Sequence, residues 1–332
     1  MQKKFFKVLT LSLITILLLN SNSAVFAANG ANNERKSEKV LLDAGYPQAT
    51  IDQLSEVDKQ ELYQVYLKYP DKTTFTSTVL EVDVLAEIDS YVNLTYDQKI
   101  KTGATDEKIK EADKEIESLR EMSNEEIKNK FMYDDVRVKL LREALEPDTD
   151  SKARDEVNDV NASGSITASE MTLTLTTTNY STSTQTNYWN YISFSWSDWY
   201  FFGIFNDKIP IAWGGNLLFV PISNNINYYY QPQSSWGGYS QSAQASYIET
   251  TINAGGYYQF PQTISGDKAK FGSFTFYIKQ NGRYNTLSKI ITQFAHQILT
   301  IGSSDISVSG APTISIGAAY DTSAQLSNQI TY

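Results

Sequence analysis

The sequence predicts an α+β protein whose two kinds of structure are segregated along the chain. A helical N-terminal region is followed by an antiparallel β-sandwich-like C-terminal domain. Three observations predict this. Apolar residues recur at helical spacing as far as Leu145 and at every second position from Met171 onward. Charge divides in the same place. The net charge of −10 includes Lys3, Lys4 and Lys7 of the leader, so the rest of the chain carries −13. From Asn161 onward there are seven acidic and six basic residues, which leaves −12 between Ala28 and Val160. Between the halves, residues 148–164 are polar, charged and aperiodic, which reads as a linker.

Element by element, the chain opens on three lysines, the apolar run "VLTLSLITILLLN" and the small-residue site "AVFAA". That order is a secretory signal peptide, residues 1–27, cleaved after about Ala27. It places the rest of the chain outside the cell. Residues 28–36 are polar and expected to be disordered. Residues 37–147 read as an acidic helical region. Ser37 is placed as the N-cap of a helix that stops at Gly45 and Pro47. "SEVDKQELYQVYLKYP" has one apolar face and ends before Pro70. "TFTSTVLEVDVLAEIDSYV" fits two periods: its β-branched residues suit a strand, while Val84, Ile88 and Val92 recur at i, i+4, i+8, which tips the reading to helix. "TDEKIKEADKEIESLREM" offers a narrow seam of Ile109, Ala112, Ile116 and Leu119. Ser123 and Glu126 form a capping box with Met122 and Ile127 at the staple positions. A last helix carries Val136, Val138, Leu141 and Leu145, with a break near "MYDD" before it.

Residues 165–332 are expected to be the β-sandwich-like domain. "MTLTLTTT" alternates Met171, Leu173 and Leu175 with threonines, and "FGSFTFYIK" alternates Phe274, Phe276 and Ile278 with polar neighbours. Asn281-Gly282 is a hairpin signal. "TLSKIITQFAHQIL" fits both periods. The stretch from Ile192 to Gly215 with Trp189 holds four of the five tryptophans. Its flanks alternate, so Trp196 and Trp213 are core candidates, and Pro210 predicts an edge strand or a bulge. In the middle, Trp199, Tyr200, Phe201, Phe202 and Phe205 break the alternation. Trp199, Tyr200, Phe202 and Phe205, with Asp207, are the candidate binding residues.

Phe194, Trp196, Asp207, Ile209, Ile211 and Trp213 form a W…D-x-I-x-I-x-W pattern, accompanied by "LLDAGYPQATIDQL", "MSNEEIKNKF", "VKLLREALE" and "FAHQ". In these the chain resembles a loosely defined family of secreted proteins from Gram-positive bacteria. The resemblance implies export and the two-part layout. That group has no established activity, so no functional residue carries over. The apolar loop "WYFFGIFN" departs from the pattern.

Several chemistries are excluded by count. The chain has no cysteine and one histidine, His296. A cysteine nucleophile and zinc sites of Cys and His are ruled out, no metal or cofactor site is read, and no catalytic residue is assigned. His296, in an apolar run, reads as a hydrogen-bonded structural residue. No basic stripe exists to neutralise nucleic-acid phosphates. Three function classes stay open. The first is a non-enzymatic binding or interaction module for a glycan, cell-wall or protein ligand, since a charge-poor surface rich in Tyr, Trp, Asn and Gln suits such contacts. The second is a membrane-active or pore-forming protein. The third is a glycan hydrolase using Asp198 and Asp207, against which stands their ordinary service as turn and strand-start residues.

Overall fold

The computed structural model describes residues 30–54, 56–131, 133–147, 168–196, 203–214, 217–230, 238–251, 254–281, 286–298, 305–309 and 312–331. The stretches read from the sequence as a signal peptide, 1–27, and a linker, 148–164, lie outside the described residues. The protein is α+β, with helices early in the chain and antiparallel sheets after them. Two compact units are present, Met1–Pro70 and Asp71–Tyr332. Among the described residues no helix is long and apolar enough to cross a membrane.

The first unit holds α1 (Gly30–Asp43), α2 (Gln48–Gln53) and α3 (Glu56–Lys68). Helix α1 starts inside the stretch expected to be disordered, and Ser37 is an interior residue rather than a cap. Its hydroxyl accepts from Gln60 Nε2 of α3 at 3.4 Å. Lys59 of α3 reaches Glu38 of α1 at 2.8 Å. Gly45 ends the first helix with φ 97°, a left-handed conformation that costs glycine nothing.

The second unit begins with a strand, β1 (Thr73–Asp83), followed by α4 (Val84–Asn93). This corrects the helical reading of that segment: each period held over its own half. The stretch 73–82 is rich in β-branched residues and pairs as an edge. Asp83 then caps the helix, its carboxylate accepting from Leu85 N at 3.1 Å and Ala86 N at 3.2 Å. The next helices are α5 (Tyr96–Lys101), α6 (Asp106–Glu121), α7 (Asn124–Phe131) and α8 (Asp135–Leu145). The seam Ile109, Ala112, Ile116, Leu119 is buried as expected, whereas Val136 is exposed. The capping box forms: Ser123 N donates to Glu126 Oε2 at 2.6 Å, and Glu126 N to Ser123 Oγ at 3.2 Å. Helices α6 and α8 cap each other. Arg120 Nε and Nη2 donate to Leu145 O, and Arg142 donates to the carbonyls of Leu119, Arg120 and Met122.

The remaining strands are β2 (Ala168–Asn179), β3 (Gln185–Trp196), β4 (Asn206–Trp213), β5 (Leu218–Tyr230), β6 (Gly238–Ala243), β7 (Ser246–Thr251), β8 (Gly255–Pro261), β9 (Thr263–Ile264), β10 (Asp267–Asn281), β11 (Leu287–Thr292), β12 (Ala295–Gln297), β13 (Ile306–Ser309), β14 (Thr313–Ile316), β15 (Tyr320–Thr322) and β16 (Leu326–Thr331). One sheet runs β1-β2-β3-β10-β5-β6, with β9 beside β10. In the other, β4 pairs with β8 on one side and with β11 and β12 on the other; β7, β15 and β16 complete it. β13 and β14 form a separate hairpin. The sheets close on a shared aromatic core: Phe194 stacks on Phe260 at 5.0 Å, Tyr258 meets Phe274 at 4.3 Å and Trp213 stacks on Phe219 at 5.0 Å.

Two expectations change here. Pro210 lies in an interior strand, not at an edge. Its neighbour is interrupted instead: Ile211 faces Thr292 of β11, Lys208 faces Ala295 of β12, and the break at Gln293 and Phe294 spares the ladder a donor Pro210 lacks. The Thr292 hydroxyl donates to the Pro210 carbonyl at 2.9 Å. The strands on either side of Asn281-Gly282, β10 and β11, do not pair as the hairpin signal implied but belong to different sheets, and Gly282 itself lies outside the described residues.

Candidate functional site

Strand β4 starts directly after the aromatic stretch, and its first residues converge with β8, β12 and α4. Thr263 Oγ1 donates to Gly203 O at 3.0 Å, and Gln262 N donates to Phe205 O at 2.9 Å. Phe205 N donates to Gln262 Oε1 at 3.0 Å. These bonds fix the downstream root of the loop. Phe205 itself is 7% exposed, inside the core. Its side chain is spent on anchoring the root and is not offered to a partner. Trp199, Tyr200 and Phe202, like Asp198, lie outside the described residues.

Alternation turns Asp207 inward from β4, and it is fully buried. Its Oδ1 accepts from Gln262 Nε2 at 2.7 Å and from Gln297 N at 3.3 Å, and stands 2.9 Å from His296 Nδ1. His296, on β12, is buried too. Its other nitrogen, Nε2, stands 3.1 Å from Glu87 Oε1 of α4. The indole of Trp196 meets the imidazole edge-on at 5.3 Å. An imidazole with a carboxylate at each nitrogen is best satisfied as the doubly protonated cation, donating twice. Burial alone opposes that charge; Asp207 and Glu87 overcome it and hold the ring's pKa well above its ordinary value. Glu87 is pushed up by burial, against the downward pull of His296. Asp321, facing His296 across the β12–β15 ladder, is also raised by burial.

This arrangement binds charge; it does not present it. General acid–base chemistry requires hydrogen-bond reach of the substrate proton. Both ring nitrogens of His296 face carboxylates, and Asp207 has no surface. That removes Asp207 from the acid pair considered with Asp198. Among the described residues there is also no group of three His, Asp or Glu side chains placed to hold a metal ion. Composition singled out Asp207 and His296 separately, the one as a strand start and the other as a structural residue. Their pairing across 89 positions had no local signal, and neither did the arrival of Glu87.

No family model and no curated protein matches the chain. Among solved structures it is similar to the collagen-binding subdomain of the Enterococcus faecalis surface protein ACE, at TM-score 0.22 and 8% identity over 46% of this chain and 91% of that one. It is similar to the collagen-binding domain of a Staphylococcus aureus adhesin, at TM-score 0.23 and 10% identity over 46% and 93%. The membrane-inserted NetB toxin of Clostridium perfringens gives TM-score 0.23 and 9% identity over 49% and 91%. Likenesses at these TM-scores carry no argument about function.

Proposed function

We propose that the protein is a secreted, non-enzymatic binding module for a glycan, cell-wall or protein ligand, and that Trp199, Tyr200 and Phe202 make the contact. The observation that supports this most is the commitment of His296: the only imidazole in the chain is bonded between two buried carboxylates and out of reach of any substrate. Export through the leader at 1–27 belongs to the same reading. So does the pinned root at Gly203 and Phe205, since a loop rising from fixed backbone loses less entropy on binding. The test incubates the chain lacking its leader with purified cell wall, soluble glycans and liposomes in parallel. Retention on wall or glycan, lost in Trp199→Ala and Phe202→Ala, is the expected result. Retention on none of them, or retention unchanged in both variants, overturns it.

One observation favours a second reading, membrane activity. Among the described residues the hairpin β13–β14 shares no backbone ladder with either large sheet, its link to β7 being the Thr251 hydroxyl donating to Val308 O, and it is amphipathic, with Ile306 and Val308 buried and Ser307 and Ser309 exposed. Its strands are four residues long, against the ~9–11 that span a bilayer. Leakage from the liposomes in the same experiment would establish this reading over the first.

A further inference from the structure

The second unit joins helices to sandwich through an ionic contact between groups that rarely go unsolvated. Glu87 is on the first turn of α4, His296 on β12 and Asp207 on β4. The three side chains are 10%, 0% and 0% exposed. Two of their oxygens, Glu87 Oε2 and Asp207 Oδ2, have no hydrogen-bond partner among the described residues. Buried charges of this kind persist only when paired, and the pairing here depends on one proton. With His296 doubly protonated the trio carries a net single negative charge, and each carboxylate accepts an N–H. Without that proton the ring has one N–H left for two carboxylates. Asp207 keeps its bonds from Gln262 Nε2 and Gln297 N, so the contact that can lapse is the one between Glu87 and the ring, which joins α4 to β12.

We propose that Glu87, His296 and Asp207 form a proton-held latch, which keeps α4 docked on the sandwich while the imidazole carries both protons and releases the helix when one leaves. The other groups around the ring reinforce this polarity. Asp321 of β15 is opposite His296 and adds negative charge on that side. Gln262 Nε2 also stands 3.2 Å from His296 Nδ1, but its two N–H groups are engaged by Asp207 Oδ1 at 2.7 Å and Gln297 O at 2.9 Å, and its Oε1 accepts from Phe205 N. Trp196 of β3 supplies an aromatic wall. Tyr228 of β5 and Tyr320 of β15 both feel the charge of Asp207, which adds to burial in holding their hydroxyls protonated. Lys208, next to Asp207 in β4, points to the opposite face, with its amine 5.2 Å from the rings of Tyr257 and Tyr320. No second cation shares the ring's pocket among these neighbours.

The sign is set by the direction of the shifts. His296 is raised, so its contribution is fully present below the ordinary histidine value of about 6.5 and is lost as pH climbs through the folded value. Glu87 is raised as well, so its protonation favours the folded state and acts in the same direction. The latch is therefore closed in mild acid and opened by alkali.

A single histidine makes the test direct. In full-length chain labelled with ¹⁵N-histidine, the imidazole gives one set of signals. The expected result is both nitrogens protonated at pH 7, with a titration midpoint well above the ordinary histidine value. Amide protection factors across Val84–Asn93 should drop at least tenfold through the same midpoint, while those of β3 and β10 stay constant. Glu87→Gln should move the midpoint down by about one unit, since a neutral amide no longer stabilises the cation. A neutral ring at pH 7 overturns the proposal. So does a ring that titrates with no loss of protection in α4. Both are read on the unmutated protein, whatever the folding of the variant.

Discussion

Asn328 of β16 is 1% exposed, and both ends of its amide are hydrogen-bonded. The two N–H groups of Nδ2 are shared among Leu175 O at 3.2 Å, Thr177 Oγ1 at 3.1 Å and Thr74 O at 3.3 Å, while Oδ1 accepts from Thr76 Oγ1 at 3.2 Å. One side chain thus joins the second sheet to β1 and β2 of the first. Asn328→Leu should cost about 2–4 kcal/mol in urea unfolding, because it strands carbonyls and hydroxyls in the core as well as losing bonds. The opposite case is Tyr258, whose buried hydroxyl has no hydrogen-bond partner among the described residues. Tyr258→Phe removes a desolvated group with nothing to lose, and its melting temperature should match or exceed that of the unmutated chain. Gly272 shows a steric limit. It faces Phe194 across the β10–β3 ladder, and a Cβ there would collide with that ring and with Ile226. Gly272→Ala should destabilise by about 1–3 kcal/mol through overpacking.

At the scale of elements, legibility followed how local the cause was. The capping box at Ser123 and the seam of α6 were readable because both are settled within one helix. Trp196 and Trp213 were readable as core because alternation alone puts them on a buried face. The segment 73–92 was half legible: a strand and a helix abut without Gly or Pro, and the joint is marked only by Asp83, which resembles any acidic residue until its backbone turns. Pro210 misled because the rule about edges concerns a missing donor, and the fold answers it by breaking the neighbouring strand. Arg120 and Arg142 carried no readable signal, since each caps the helix that the other belongs to. Arg142→Met should lower stability by about 1–3 kcal/mol, as it leaves the α6 carbonyls without their charged donor. The loss should be smaller in a chain already carrying Arg120→Met, a coupling that a double-mutant cycle measures.

For the whole molecule, a chain without cysteine rests on its apolar core and a few buried polar contacts. The titrating contacts among them impose a direction. Raised values at His296, Glu87 and Asp321 all mean that the folded state binds more protons than the unfolded one, so stability falls as pH rises. The urea midpoint should be higher at pH 6 than at pH 8.5. In Glu87→Gln that difference should shrink. A midpoint that rises with pH over this range would contradict the ionic picture of the cluster.

The pairing of β1 with β2 runs in unbroken register from Thr73↔Thr178 to Asp83↔Ala168, and residues 84–167 all lie between those two ends. Topologically, the helices α4 to α8 are therefore a guest inserted at the tip of a β-hairpin, with both attachment points on adjacent backbone. Such a guest can be lengthened, shortened or exchanged without rerouting any strand of its host. Removing the chain up to Asp83 instead would strip the sheet of its edge and leave β2 open to pair with another molecule.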